Sequence, residues 1–312
     1  MTAHGVLLVV RQEFRVRLRT GRWRWLLGSW VVVIGLFTLL LNMALIGIDG
    51  PKGVPLFGGL MLFVLALVLV VSPALTAQSV NGDRERGTLA TLQITRLSAT
   101  EIALGKLLAG WGVGLVALAL TLPFVGWALL EGGMTILRTI VVLLVVALLI
   151  GVMCAIAMAL SALLARSITS ALLSYVAMFA LTVGTVVAFG LSASVVSGGR
   201  SNGTERVWWM IAPNPFVILA DATPALPPTY DKEGHAIPQP YDPLGEMGRG
   251  VRSLRDTSYY TYDEFGSHHE PPPPVWPYGL AFDLLLGIGA VWITARRLRT
   301  PAQNLPRGVR VA

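Results

Sequence analysis

The sequence predicts an all-α polytopic membrane protein with six transmembrane helices, an amphipathic N-terminal helix in the interface and a short cytoplasmic helix between spans two and three. Three observations carry this. Charged residues make up 13% of the 312 residues, about half of the ~25% usual in soluble domains. The apolar fraction is 54% and the mean hydropathy +0.67. The apolar residues gather in charge-free runs of about the 20 residues that cross ~30 Å of hydrocarbon. Such a composition excludes a soluble globular enzyme, a disordered chain and a fibrous repeat. The formal charge of +7 does not point to nucleic acid, because basic residues in a membrane protein first fix orientation. A single cysteine, Cys154, leaves no disulfide framework and no cysteine-based zinc site.

Taken in order, residues 9–25 place Val9, Val10, Phe14 and Leu18 at helical spacing with arginines between them, followed by Trp23 and Trp25. This predicts a helix lying in the cytoplasmic interface and bending into the first span; a purely topogenic basic arm is the plainer alternative. The spans fall at 26–48, 56–77, 107–130, 139–164, 171–191 and 276–295, the last weakened by Asp283. Pro73 and Pro123 are placed to bend spans two and three. The first run is too long for a signal-peptide core and no small-residue cleavage site follows, so it reads as an uncleaved span. Residues 1–300 form one six-span domain, which includes a cytoplasmic loop at 79–100 and a Pro-rich extracytoplasmic loop at 193–274. Residues 301–312 are a cytoplasmic tail.

Orientation follows from the basic residues. Sixteen lie in the N-terminal arm, the loop between spans two and three, Arg166 and the tail, whereas the short loops opposite hold only Lys52 and Arg138. The positive-inside rule therefore puts both termini in the cytoplasm. Twenty-one arginines against three lysines, with abundant Ala, Val, Leu and Gly, fit a GC-rich bacterial genome and hence a bacterial inner membrane.

The 193–274 segment carries most of the prolines, five of the seven tyrosines and a net charge of −4. Its first part, WWMIAPNPFVILADA, is apolar enough to sit at the membrane surface, with Trp208 and Trp209 at headgroup level. A short helix is predicted near Met247 to Leu254. Gly110 and Gly114 form a small-xxx-small pair suited to close helix packing. Cys154 reads as a small packing residue.

Motifs for catalysis are missing from the sequence. Gly105-Lys106 lacks the rest of a phosphate-binding loop, and the glycines at 110, 112 and 114 do not make a dinucleotide fingerprint. His268-His269-Glu270 is not a zinc-protease pattern. No nucleophile–base pair stands out, so the chain is not expected to be an enzyme or to hold a metal or cofactor of its own. Asp283 lies about seven residues into the last span, roughly 10 Å along its axis. An intramembrane carboxyl is a functional candidate by default; the alternative places it in a hydrated outer vestibule beside Tyr278.

The most informative stretch is SVNGDRERGTLATLQITRLSATEIALGKLLAG, residues 79–110. Leu89 and Leu92 share one helix face. Ser98-x-x-Glu101 is a capping box, in which the serine hydroxyl accepts from the Glu101 amide while the carboxylate reaches back to the Ser98 amide. A short helix, a turn near Ile94 to Leu97 and a new helix follow from this. The structural alternative is a solvated charged loop needed only for topology.

The pattern Asp83-x-Glu85-Arg86-Gly87-Thr88-Leu89-x-x-Leu92, followed by Leu97-Ser98-x-x-Glu101-x-x-x-Gly105-Lys106, resembles the cytoplasmic loop of the ABC type-2 transporter permeases. The order of six spans, the basic N-terminal helix and Asn214-Pro215-Phe216 with Leu219-Ala220-Asp221 are similar too. Arg96 departs from the family, which usually has proline there, and Ala99 stands near where a basic residue is usual. The resemblance implies the membrane subunit of a bacterial ABC exporter, forming a homodimer or pairing with a related permease. ATP and Mg would be bound by a separate ABC ATPase subunit. Arg84, Glu85, Arg86, Gly87, Thr88, Leu89 and Leu92 would form the coupling-helix interface with it, the leucines as apolar anchor. A non-ATP-driven polytopic protein, either a secondary transporter or a membrane assembly factor, is the alternative. Secondary transporters often carry inverted repeats and broken helices, and neither is clear in the sequence.

Overall fold

Six apolar runs become six helices long and apolar enough to cross a membrane. The computed structural model describes residues 2–19, 22–47, 50–87, 97–197, 204–227, 239–255 and 273–299, and no strand occurs among them. The chain is thus an all-α, multi-pass membrane protein.

Helix α1 (Ala3–Arg19) leads to span one, α2 (Arg22–Ala44). Span two is α3 (Gly53–Thr76), extended by the short α4 (Asn81–Glu85). Span three is broken into α5 (Ala99–Ala119) and α6 (Leu122–Leu130). Pro123 sits in the first turn of α6, where its missing N–H ends the preceding ladder but costs the new helix nothing. Span four is α7 (Ile136–Leu163). Span five is α8 (Ser167–Phe179), a π-helical turn at Ala180–Gly184 and α9 (Thr185–Ser197). Beyond a short α10 (Thr204–Val207), the segment between spans five and six contains α11 (Pro215–Ala222) and α12 (Pro243–Arg255), and α13 (Trp276–Leu298) is span six.

The core lies between α3 and α7. Leu56, Phe57, Leu60, Met61 and Leu65 on one, and Val146, Leu149, Ile150 and Met153 on the other, are fully buried. Spans one and five are the least covered. Gly110 and Gly114 do support close packing. A Cβ on Gly110 would lie 2.6 Å from Thr76 Cγ2, and one on Gly114 2.4 Å from Ile150 Cγ2. Cys154 packs beside them, 1% exposed.

Three expectations need correction. The N-terminal helix begins at Ala3, not near Val9, and does not only rest on the interface. It runs parallel to the start of α5. A Cβ on Gly105 would fall 2.5 Å from Val9 Cβ, and one on Gly112 2.9 Å from the Phe14 ring; Val9 is 2% exposed. The Asn214–Ala222 stretch does not lie on the surface. Its Ile218 and Leu219 are fully buried in the main core, because an apolar helix gains more from packing than from the interface. Span three breaks just before Pro123, as its placement predicted, whereas Pro73 stays inside an unbroken α3; the π-turn of span five is the interruption that was not clear in the sequence. The predicted short helix near Met247 is present and longer, as α12.

Candidate functional site: a charged junction beneath the bundle

Four segments converge at the end of the bundle that carries the α5 N-terminus. Lys106, on α5, is 2% exposed. Its ammonium donates to Glu13 Oε1 of α1 at 2.6 Å, to the Ser79 carbonyl at 3.0 Å, and to Asp83 of α4. A compact cation with three donors satisfies three acceptors from three directions. Read as a topology-setting charge in the sequence, Lys106 is an ion-pair hub. A Gly-Lys dipeptide gives no sign of that, because the partners lie 23 and 93 positions away.

The loop's outgoing end is fixed further. The Arg84 guanidinium donates to Asn81 Oδ1 and to the Leu164 carbonyl, both at 3.2 Å. Glu85 Oε1 accepts from the Ser167 amide at 3.2 Å and from the Ser167 hydroxyl. A carboxylate there meets orphan amides and the positive end of the helix dipole at the start of span five. Arg86 Nε donates to the Gly82 carbonyl at 2.8 Å. Gly87 stops α4 in the left-handed region at φ +70°, which costs least without a Cβ. Arg84, Glu85 and Arg86 thus bind this chain's own backbone and the connection between spans four and five, while remaining exposed.

The returning end is fixed by the predicted capping box. Ser98 Oγ accepts from the Glu101 amide at 3.2 Å, and the Ser98 amide donates to Glu101 Oε2 at 2.9 Å. Glu101 Oε1 also accepts from the Thr2 amide at 2.6 Å and hydroxyl at 3.0 Å. One carboxylate therefore caps α5 and holds the start of α1. Thr88, Leu89, Leu92 and Arg96 lie outside the described residues, as do His268 and His269.

The opposite end of the bundle has its own polar hub. Asp221, 1% exposed, accepts from Arg252 Nε of α12 at 2.5 Å through Oδ1. Through Oδ2 it accepts from the Val275 and Trp276 amides at 2.6 and 2.7 Å. It caps span six from a distance of 55 positions. Asn214 caps α11 by accepting from the Phe216 amide at 2.9 Å. Its Nδ2 donates to the Thr182 carbonyl at 2.6 Å and to Thr185 Oγ1 at 3.0 Å. A π-turn displaces carbonyls from their usual i+4 donors, and Asn214 takes up one of them. Arg138, 1% exposed, pairs with Asp242 at 2.5 Å.

Asp283 is fully buried, and neither carboxylate oxygen has a hydrogen-bond partner among the described residues. The hydrated-vestibule reading is overturned. One turn on, Gly287 faces Val152 of α7, and one turn back Gly279 faces Ala212 and Ile218. This places the carboxyl on the inward face of span six.

No protein-family model matches the chain, and no curated protein matches it in sequence. The fold and these sites define a multi-pass α-helical membrane protein.

Proposed function

We propose that this chain is the permease subunit of a bacterial ABC exporter, residing in the inner membrane with both termini cytoplasmic. A separate ABC ATPase binds ATP and Mg and docks on the 79–100 loop, and this chain carries no catalytic site. The observation that supports this most is the anchoring of both ends of the nine-residue segment 88–96. Its outgoing end is tied by Asp83, Arg84 and Glu85 to span three and to the connection between spans four and five. Its returning end is tied to α1 through Glu101. A short segment held so converts displacement by a partner into movement of several spans, whereas a solvated loop needs no such anchoring. The loop pattern and the basic end agree with this reading. Exposed apolar faces on spans one and five, including Leu36, Leu40, Leu172 and Val176, are suited to a permease homodimer.

The deciding experiment is copurification of the ATPase with wild type and with Leu89→Ala/Leu92→Ala at matched membrane levels. Truncated interface anchors commonly cost over 1 kcal/mol each, so association should weaken by about tenfold or more. Equal recovery removes the reading. A secondary transporter is the second reading, favoured by the interrupted spans three and five and the buried Asp283. Transport driven by an ion gradient and indifferent to ATP would select it.

A further inference from the structure

Spans three, four and six enclose a groove of about 730 Å³, within the ~300–1,000 Å³ typical of sites that bury a small ligand. Leu104, Leu148, Gly151 and Ile288 form its apolar walls. Its rim opens sideways, with Leu108 38%, Ile288 66% and Trp292 58% exposed, where a span faces hydrocarbon. Arg296 and Arg299 stand at the mouth, and neither forms an ion pair among the described residues. The Arg296 guanidinium lies over the Trp292 ring at 5.0 Å, which fixes its height beside an indole of the kind found at headgroup level. The nearest carboxylate on α5, Glu101, does not line the groove and is bound by Ser98 and Thr2.

We propose that this groove binds an anionic diacyl phospholipid from the leaflet at the basic end. Its acyl chains lie along α5, α7 and α13, and its phosphate rests on Arg296 and Arg299. An apolar slot that opens to the bilayer matches acyl chains, and two arginines at its mouth, Arg296 held over Trp292 and Arg299 beside it, match a phosphate in planar, multidentate fashion. Basic pockets between spans at a membrane surface bind anionic headgroups by this combination. The inference rests on the six spans and holds with or without a partner ATPase.

The test uses the full-length protein in phosphatidylcholine nanodiscs, with a phosphatidylglycerol probe carrying a photoactivatable acyl chain and the matching phosphatidylcholine probe. The phosphatidylglycerol probe should label α5, α7 and α13. Arg296→Gln/Arg299→Gln should cut that labelling about twenty-five-fold, since each basic residue near a membrane surface contributes about a factor of five. Gly287→Leu, which projects a side chain into the groove, should cut it comparably. If that variant does not insert, the arginine pair decides alone, because both residues are exposed. Equal labelling by both probes, or undiminished labelling of the arginine variant, overturns the proposal. So does displacement by inorganic phosphate alone, which marks a phosphate site, or crosslinking of two copies through Trp292, which marks a protein interface.

Discussion

Lys106 and Asp283 are both buried ionisable residues, and the difference between them is partnership. Lys106 has three acceptors; its Glu13 and Asp83 partners keep about a fifth of their side-chain surface exposed, 22% and 19%. Removing one member of a buried pair commonly costs ~3–5 kcal/mol, because the other charges stay desolvated. Partial solvation puts Lys106→Met at the lower end, about 3 kcal/mol. It should lower the thermal midpoint of the detergent-solubilised protein well below that of Arg86→Ala, whose exposed side chain holds a single carbonyl, that of Gly82. Equal midpoints would remove Lys106 as the hub of the junction. Asp283 has no protein partner among the described residues, so its removal should not destabilise. Replacing an unsatisfied buried polar group by an apolar one of similar size recovers ~1–3 kcal/mol. Asp283→Leu is therefore expected to raise the midpoint. A fall would mean that Asp283 is a structural group, and its case as a functional residue would lapse.

At the scale of elements, helices are held together either by small residues that let backbones approach or by polar side chains that cap a neighbour. Gly114 is of the first kind. A Cβ there would sit 2.4 Å from Ile150 Cγ2, a branch atom that cannot swing aside, and overpacking of this sort costs ~1–3 kcal/mol. Gly126 on α6 has nothing within 4 Å of the same position, so alanine there should gain up to ~1 kcal/mol in helix propensity. Opposite signs for Gly114→Ala and Gly126→Ala in thermal unfolding are expected; the same sign would contradict the packing of α5 on α7. Which elements form was largely legible. Charge-free length marked five spans, and the sixth was marked by its apolar run despite Asp283; Ser98-x-x-Glu101 marked the start of α5 because a capping box is complete within four residues. Asn214–Ala222 was misread as a surface helix because hydropathy cannot separate the interface from the core. The roles of Asp221 and Asn214 were out of reach, since their partners Trp276 and Thr182 lie 55 and 32 positions away and nothing local announces them.

For the whole molecule, the structure changes which charges bear on orientation. Arg138 is spent on Asp242 and Lys106 on the junction, so neither acts as a free loop charge. Taking both out of consideration sharpens the asymmetry. Lys52 is then the remaining basic residue in the short loops at the Arg138 end, while the opposite end keeps Arg84, Arg86, Arg166, Arg296, Arg297 and Arg299. Arginines near span ends resist translocation, and the excess marks the cytoplasmic face. Labelling sites are set by exposure. Gly82 is buried and its Cβ would crowd the Arg86 guanidinium at 2.9 Å, so a cysteine there would report burial, not sidedness. Arg86 itself is exposed at the basic end, and Tyr241 is 65% exposed at the other. In a Cys154→Ala background, which removes a thiol already 1% exposed, an impermeant thiol reagent should label Tyr241→Cys in intact cells. Arg86→Cys should react only after permeabilisation. The reverse pattern would put the 79–100 loop outside the cell, beyond the reach of a cytosolic ATPase, and the exporter reading would fall with it.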